Sequence, residues 1–236
     1  MDWWSSFRLF LFDFDGLLVD TEKGHFAAYN STLAHYGYAP LGTFSQFIAY
    51  AHASSQALQD ALHGRYPKLF GTLCWDAFYQ KKQEMYREWL EKSAIDLMPG
   101  VASLLHSLAA EEKMSAIVTH SCREHIETAR GRSAPLQTIS RIITREDYDL
   151  PKPAPACYNY ALRQFPEEAE QAIGFEDSFR GICSLEQTQA TSVFIQKKSY
   201  PLWEEGAARA DIHAPSFSDL SLDLFASRGL LQGKGP

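Results

Sequence analysis

The sequence of 236 residues is poor in cysteine, in long apolar runs and in positive charge, and each scarcity excludes a class of protein. Cys74, Cys122, Cys157 and Cys183 are widely spaced without a Cys-x-x-Cys pair, which argues against a disulfide framework or a zinc site. The net charge of −7 argues against a nucleic-acid-binding surface. The N-terminal apolar run is too short to cross a membrane and contains Arg8. We therefore expect a cytoplasmic protein without a nucleic-acid or membrane partner, either a monomer or a weak homodimer.

Short apolar segments alternate with helical patterns over most of the chain. The apolar segments predict strands at residues 9–12, 116–119, 139–144, 172–175 and 192–195, with 211–213 as a candidate sixth. Helical patterns at residues 101–112, 123–131, 157–165 and 179–188 separate them. This alternation predicts an α/β fold with a doubly wound parallel sheet, in which ligands bind beyond the carboxyl ends of the strands.

One stretch between the first two strands breaks this alternation. Its patterns are helical at residues 22–36, 54–62 and 73–92, and it is far longer than a usual crossover. We therefore predict an inserted helical subdomain at residues 20–97, and an α/β core formed by residues 1–19 and 98–236. The subdomain is rich in aromatic residues at helical spacing, which we expect to form mainly its own core: Trp75, Phe78, Tyr79, Tyr86 and Trp89.

Two carboxylates follow the first predicted strand, in Asp13-Phe14-Asp15-Gly16. Residues i and i+2 of a strand project to the same side, so both acids reach one edge of the sheet together. Acids behind a buried strand are costly to desolvate unless a cation or a reaction requires them. Gly16 allows the backbone to turn away sharply. The alternative is a pair of carboxylates that caps the following turn.

The segment at residues 13–22 resembles the first motif of the haloacid dehalogenase superfamily, in its phosphatase and β-phosphoglucomutase-like version. Residues 117–121, 151–153 and 174–178 resemble the remaining motifs in the family's order. The resemblance implies a Rossmann-like core with a helical cap that closes over the active site. It also implies that Asp13 is a nucleophile that forms an aspartyl-phosphate. Asp15 would be the general acid and then the general base, a role for which we expect burial and nearby acids to raise its pKa.

The resemblance also implies a magnesium site and a phosphate site. The metal ligands would be Asp13, Asp177, the backbone carbonyl of Asp15, and Glu176 directly or through water. Lys152 would steady the nucleophile and the transferring phosphoryl group. Four carboxylates against one ammonium group leave the site strongly negative, so a hard cation such as Mg²⁺ is required. The alternative for Asp177 is a helix N-cap, for which Ser178 is a second candidate, and Lys152 would otherwise be a solvated loop residue.

Four further residues are candidates for binding phosphate or substrate. Thr119 ends the second predicted strand and offers a hydroxyl, and the backbone N–H groups of Phe14 and His120 offer further donors. His120 departs from the small hydroxyl residue that many relatives carry, and either contacts substrate or fills the pocket wall. His25 lies at the entrance of the cap, where family members often place a histidine that faces the active site; the alternative is a structural role.

We expect a phosphatase that acts on a small phosphorylated metabolite of the phosphoglycolate or sugar-phosphate type. A β-phosphoglucomutase-like mutase is the alternative, but the cap arginine of those enzymes has no counterpart at residues 48–55, which contain no Arg or Lys. Asp15 argues against dehalogenation, and Lys23 is the nearest candidate for the cap lysine of phosphonate-cleaving relatives but lies on the wrong type of segment. The cap lacks a dense cationic cluster, which makes a bisphosphorylated substrate less expected. A non-catalytic binding protein on the same scaffold is a further alternative.

Overall fold

Six parallel strands form one sheet in the order β3-β2-β1-β4-β5-β6 in the computed structural model, which describes residues 2–231. The first strand, β1, is central and pairs with β2 on one side and β4 on the other. From β1 the chain adds β2 and β3 on one side, and then crosses over to add β4, β5 and β6 on the other. The carboxyl end of β1 therefore lies where the strand order reverses, which is where ligands bind in such folds. The predicted α/β class with a doubly wound parallel sheet is confirmed. The strands are β1 (Leu9–Phe12), β2 (Met114–Val118), β3 (Arg141–Ile143), β4 (Ala172–Glu176), β5 (Thr191–Ile195) and β6 (Ile212–Ala214).

Five of the six helices between β1 and β2 lie in the inserted stretch: α1 (Glu22–His35), α2 (Phe44–Ala53), α3 (Ser55–Arg65), α4 (Pro67–Phe70) and α5 (Trp75–Lys92). No strand lies among them in the part of the chain that the structure describes. Their own buried cluster includes Leu33, Phe47, Leu62 and Phe78. Helix α2 was not predicted, although a capping box between Thr43 and Gln46 starts it.

The chain leaves and re-enters the sheet region along two segments that run side by side. Val19 and Leu97 form an antiparallel bridge, and Asp20 donates its N–H to the carbonyl of Asp96 at 2.9 Å. The two chain connections between these helices and the rest of the chain therefore lie side by side. The division into a cap at 20–97 and a core formed by 1–19 and 98–236 stays a prediction.

The remaining helices cover both faces of the sheet. Successive residues of β1 alternate between the two cores, with Phe10 and Phe12 on one side and Leu9 and Leu11 on the other. All four side chains are buried, so β1 is a central strand covered on both faces. The helices are α6 (Val101–Ala110), α7 (Arg123–Gly131), α8 (Ala134–Gln137), α9 (Ala156–Gln164), α10 (Phe179–Leu185), α11 (Trp203–Arg209) and α12 (Leu222–Ala226), and short 3₁₀ segments lie at Trp3–Ser6, Ala169–Gln171 and Phe217–Asp219.

The strand ends carry the polar residues that the sequence placed there. Asp13 continues β1 and donates its N–H to the carbonyl of Phe175, so its side chain starts at the carboxyl edge. Thr119 lies one residue beyond β2, and Asp177 one residue beyond β4. Among the described residues, no helix is long and apolar enough to cross a membrane.

Candidate active site

A cavity of about 320 Å³ lies between the carboxyl edge of the sheet and the helices α1 to α5. The sheet side contributes the predicted site residues Asp13, Asp15, Thr119, Lys152 and Asp177. The helical side contributes both polar and aromatic residues, among them His25, Tyr29, His52, Tyr79 and Lys82. The structure thus brings together residues that are more than 160 positions apart in the sequence.

Lys152 joins two of the predicted acids. Its Nζ donates to Asp13 Oδ1 at 2.6 Å and to Glu176 Oε1 at 2.6 Å, and the ammonium is buried. Tyr158 also donates its hydroxyl to Glu176 Oε1, at 2.5 Å. Burial alone would lower the pKa of Lys152, but Asp13 and Glu176 outweigh it and hold that pKa well above its usual range. Lys152 is therefore a fixed positive charge beside Asp13, not a solvated loop residue.

Two further carboxylate oxygens of this site have no hydrogen-bond partner among the described residues. Glu176 Oε2 and Asp177 Oδ2 are buried without a hydrogen bond in the described part of the chain. Asp13, Glu176 and Asp177 each offer an oxygen within 4.8 Å of the others. Burial, with the neighbouring carboxylates, raises the pKa of Asp177 well above its ordinary value. Oxygen ligands that are this crowded and this poorly satisfied fit a hard divalent cation.

Gly16 makes room for this cluster. Its φ of +82° lies in the left-handed region that glycine tolerates, and a Cβ at this position would overlap Asp177 Oδ2. The carboxylate of Asp15 does not belong to the cluster. That only the backbone of Asp15 faces a metal stays a prediction. Ser178 caps α10 by accepting a bond from the N–H of Gly181, so Asp177 is not needed as the cap.

Asp15 sits among hydrogen-bond donors. Its Oδ1 accepts from Thr21 Oγ1 at 2.7 Å and contacts His25 Nε2 at 3.1 Å and the Tyr86 hydroxyl at 3.3 Å. Its Oδ2 accepts from Ser121 Oγ at 2.5 Å. Burial would raise the pKa of Asp15, but the charge and hydrogen bond of His25, with the bonds from Ser121 and Thr21, outweigh it and lower that pKa. The expectation of a raised pKa for Asp15 is thus wrong for this arrangement, because donors surround the charged form.

His25 connects Asp15 to a buried lysine. Lys82 Nζ lies 2.8 Å from His25 Nδ1, while His25 Nε2 lies against Asp15. Burial, followed by the charge of Lys82, lowers the pKa of His25, and burial lowers the pKa of Lys82 to about 7. A protonated imidazole has no lone pair for an ammonium group, so His25 and Lys82 do not both carry a positive charge at once. The pair therefore places at most one positive charge beside Asp15.

Thr119 and His120 are held by Tyr148. The Tyr148 hydroxyl donates to the Thr119 carbonyl at 3.0 Å, so at its 3.1 Å contact with His120 Nδ1 it is the acceptor. His120 is then the Nδ1–H tautomer, and its Nε2 is a free acceptor. Burial, with the charges of Arg180, Lys152 and Arg145, lowers the pKa of His120 to about 3. The N–H groups of Phe14 and His120 donate to no acceptor within residues 2–231, as expected of a phosphate site.

A second cluster lies where the sequence offered no candidate. His52 Nε2 contacts Glu22 Oε1, and it lies 4.0 Å from Asp177 Oδ2. Tyr200 donates its hydroxyl to Glu22 Oε2 at 3.2 Å. Glu22, His52 and Asp177 form a second group of potential metal ligands that shares Asp177 with the first. Glu22 belonged to the quoted motif, but nothing in a single sequence showed that α2 brings His52 to it.

Several residues that contact the reacting groups were missed. Lys82 interrupts the apolar face of α5 between Phe78 and Tyr86, and a lysine at that helical position was the available signal. Of the aromatic residues assigned to the cap's own core, Phe78 is buried there and Trp75 packs against the same cluster, while Tyr86 and Trp89 belong to a second small cluster. Trp75 and Tyr79 also line the cavity, and Tyr86 also contacts Asp15. Lys23 is exposed and pairs with Asp20 at 3.0 Å, so the buried cap lysine is Lys82.

The chain is similar to curated proteins, one of which is named as a phosphatase. CbbY of Rhodobacter capsulatus is 27% identical over 218 residues, which cover 89% of this chain and 94% of that protein. Validoxylamine A 7'-phosphate phosphatase of Streptomyces hygroscopicus subsp. limoneus is 25% identical over 181 residues, which cover 77% of this chain and 82% of that protein.

Solved structures share the fold. CbbY of Rhodobacter sphaeroides in complex with xylulose-(1,5)bisphosphate superposes with a TM-score of 0.75 at 21% identity, over 91% of this chain and 96% of that one. β-Phosphoglucomutase of Clostridium difficile gives a TM-score of 0.75 at 18% identity, over 94% and 96%. The model of the Haloacid dehalogenase-like hydrolase family matches residues 10–195, which carry all four motifs and every acid around Lys152. The predicted resemblance and the classification as a hydrolase are confirmed, and the chain belongs to the haloacid dehalogenase-like hydrolase family.

Proposed function

We propose that the protein is a Mg²⁺-dependent phosphatase that hydrolyses a small phosphorylated metabolite through an aspartyl-phosphate on Asp13. The observation that carries this proposal is the difference between the surroundings of Asp13 and those of Asp15. Asp13 meets a fixed ammonium group and a cluster of unsatisfied carboxylate oxygens, while Asp15 meets only neutral donors and the His25–Lys82 pair. One acid is set up to be covalently modified and the other to exchange a proton.

In the first step a carboxylate oxygen of Asp13 attacks phosphorus, and the bond from phosphorus to the substrate oxygen breaks. Lys152 holds Asp13 by one oxygen and neutralises charge on the phosphoryl group as it moves. Thr119 and the free N–H groups of Phe14 and His120 bind the phosphoryl oxygens. Thr119 is buried, so its hydroxyl acts without competition from bulk water.

Asp15 supplies a proton to the leaving oxygen. The approach of a dianionic phosphate raises the pKa of a neighbouring carboxylate, so Asp15 takes up a proton as the substrate binds. In the second step Asp15 removes a proton from water, water attacks phosphorus, and inorganic phosphate leaves while Asp13 is restored. The side chains of Thr21, His25 and Ser121 hold Asp15 in place through both steps.

A magnesium ion would be held by Asp13, Asp177 and the backbone carbonyl of Asp15, with Glu176 close by. When bound it supplies electrostatic stabilisation of the transferring phosphoryl group. The fit rests on the unpartnered oxygens of Glu176 and Asp177 and on their proximity to Asp13. Lys152 alone cannot balance these carboxylates.

A phosphomutase remains the second candidate, because it uses the same two acids. The stretch at residues 48–55, which contains no cationic Arg or Lys, contributes His52 to the cavity instead, and His52 faces Glu22 and Asp177. Hydrolysis is therefore better supported. Release of inorganic phosphate from a sugar phosphate indicates a phosphatase, whereas an isomerised sugar phosphate without phosphate release indicates a mutase.

The proposal is tested by hydrolysis of a generic aryl phosphate with Mg²⁺ or Mn²⁺. We expect turnover that requires the metal, and in Asp13→Asn a residual rate below about a thousandth of wild type. Asp60→Asn is the matched control, because Asp60 is exposed on α3 and its only side-chain hydrogen bond among the described residues is with Gln56. No turnover with either metal would instead favour a binding protein on this scaffold.

A further inference from the structure

Two arginines of the sheet side line the same cavity as Asp13 and Lys152. Arg145 follows β3 and is exposed at the cavity, and Arg180 lies in the first turn of α10 and is half-buried. Neither residue belongs to the motifs that carry the proposed reaction. Their role in the proposed phosphatase is therefore open.

Neither arginine has an acidic partner. Within residues 2–231 no carboxylate forms a salt bridge with either one, and the only side-chain hydrogen bond of Arg180 goes to Ser55 Oγ at 3.0 Å. Asp76 also lines the cavity but pairs with neither. By contrast, Arg87 and Arg123 outside the cavity pair with Glu124 and Asp147. Guanidinium groups left unpaired in a cavity are available for an anion.

Arg145 and Arg180 act on the same two residues of the cavity. Both charges contribute to the lowered pKa of His120, after burial, and both oppose the burial that raises the pKa of Tyr79. Lys152 and Asp15 also act on His120. We call the part of the cavity that Arg145, Arg180, Tyr79 and His120 line its cationic end.

We propose that the substrate is a phosphomonoester with a second anionic group, a carboxylate or another phosphate, which Arg145 and Arg180 bind at the cationic end of the cavity. The inference rests on the proposed phosphatase function and specifies its substrate class. A guanidinium group binds either anion through two parallel hydrogen bonds, and a partly enclosed site strengthens them. The sequence made a bisphosphorylated substrate less expected because the cap lacks a dense cationic cluster, but the two arginines come from the other side of the cavity.

Matched substrate pairs test this inference. Phosphoglycolate is compared with hydroxyethyl phosphate, which replaces the carboxylate by a neutral group, and a sugar bisphosphate is compared with the matching monophosphate. We expect the wild type to favour the more anionic member of at least one pair by about tenfold or more in kcat/KM. The pair that shows the preference identifies the second group as carboxylate or phosphate.

Variants then locate the preference. Arg145→Gln and Arg180→Gln should each lower kcat/KM for the favoured anionic substrate by about 10- to 100-fold, mainly through KM, and change the neutral member by less than about threefold. Arg145→Lys and Arg180→Lys keep the charge and should lose less. Arg163→Gln is the control, because it removes the same charge from an exposed site that does not line the cavity.

Two results would overturn the inference while the proposed function stands. One is equal kcat/KM for both members of both pairs. The other is an equal loss on anionic and neutral substrates in the arginine variants, with a thermal melt like that of wild type. If none of the four substrates and no aryl phosphate is hydrolysed, both the inference and the proposed function fail.

Discussion

Asp13 and Asp15 lie two residues apart, yet their surroundings move their pKa values in opposite directions. Burial raises the pKa of Asp13 to about 7 against the opposing charge of Lys152. The donors around Asp15 lower its pKa, although burial opposes this. These directions are the reverse of those that the proposed first step needs, which are an ionised Asp13 and a protonated Asp15. A divalent cation at the carboxylate cluster would lower the pKa of Asp13, and a dianionic phosphate in the cavity would raise that of Asp15.

Lys82 is the residue with the most easily measured electrostatic effect. Burial lowers its pKa from 10.5 to about 7 in the folded protein. Between those two values the unfolded chain binds more protons than the folded chain, so the wild type gains stability as pH rises through this window, by at most about 1.4 kcal/mol per pH unit. The free energy of unfolding of Lys82→Met, compared with that of wild type, should therefore be larger near pH 7 or below than at higher pH.

Urea unfolding between neutral and alkaline pH measures this effect as the difference in free energy of unfolding between wild type and variant. Lys92→Met is the control on the same helix, because Lys92 is exposed and its one salt bridge within residues 2–231 is with Glu88. A difference between wild type and Lys82→Met that does not change with pH would show that Lys82 keeps an ordinary pKa in the folded protein.

The packing of α1 against α5 positions the groups around Asp15. His25 lies on α1, Lys82 and Tyr86 lie on α5, and the rings of His25 and Tyr86 stack at 3.9 Å. This contact is close because Gly24 faces Trp89, where a Cβ would overlap the indole ring. Because α1 and α5 pack this closely, His25 and Lys82 come within hydrogen-bonding distance of one another.

Substitution of Gly24 tests that contact. Gly24→Ala should destabilise the protein by about 1–3 kcal/mol, because the overlap outweighs the helix propensity that alanine adds. Gly64→Ala in α3 is the matched control, with nothing within 4 Å of the added methyl group, and should stabilise by up to about 1 kcal/mol. Chemical denaturation measures both values, and equal effects of the two substitutions would refute the proposed close contact.

The sequence located the strand ends because parallel strands deliver residues such as Asp13, Thr119 and Asp177 to one edge regardless of the details of packing. It could not locate His52 or Lys82, because helical periodicity gives the face of a helix and not the neighbour against which that face packs. The same limit explains the missed arginines. Arg180 was visible beside the fourth motif, but only the packing of α10 beneath Ser55 showed that it lines the cavity.

At the scale of the whole molecule, the inserted helices complete the surroundings of the acids. His25 and Tyr86 contact Asp15, and His52 lies beside Asp177. Arg180 and Ser55 add a hydrogen bond across the same boundary. The proton state of Asp15 and the surroundings of the metal cluster therefore depend on how the helices α1 to α5 sit on the sheet.

Metal binding should be visible in the stability of the whole molecule. Mg²⁺ at about 100 times its Kd should stabilise the wild type by about 2.7 kcal/mol, measured as a rise in Tm. Asp177→Asn should lose this rise. Without metal it should melt no lower than wild type, because it removes a buried carboxylate whose pKa is already raised by its neighbours. Asp60→Asn should respond to Mg²⁺ as wild type does, and an unchanged rise in Asp177→Asn would contradict the assigned metal site.

The most direct test of the account is to trap the phosphorylated enzyme in Asp15→Asn. An aryl phosphate has a good leaving group, so Asp13 can still be phosphorylated in this variant, while loss of the general base slows the attack of water. Rapid denaturation, digestion and mass spectrometry should find one phosphoryl group on the peptide that contains Asp13, and none in the double variant Asp13→Asn with Asp15→Asn. A phosphoryl group on another residue, or turnover by the double variant without any adduct, would contradict covalent catalysis by Asp13.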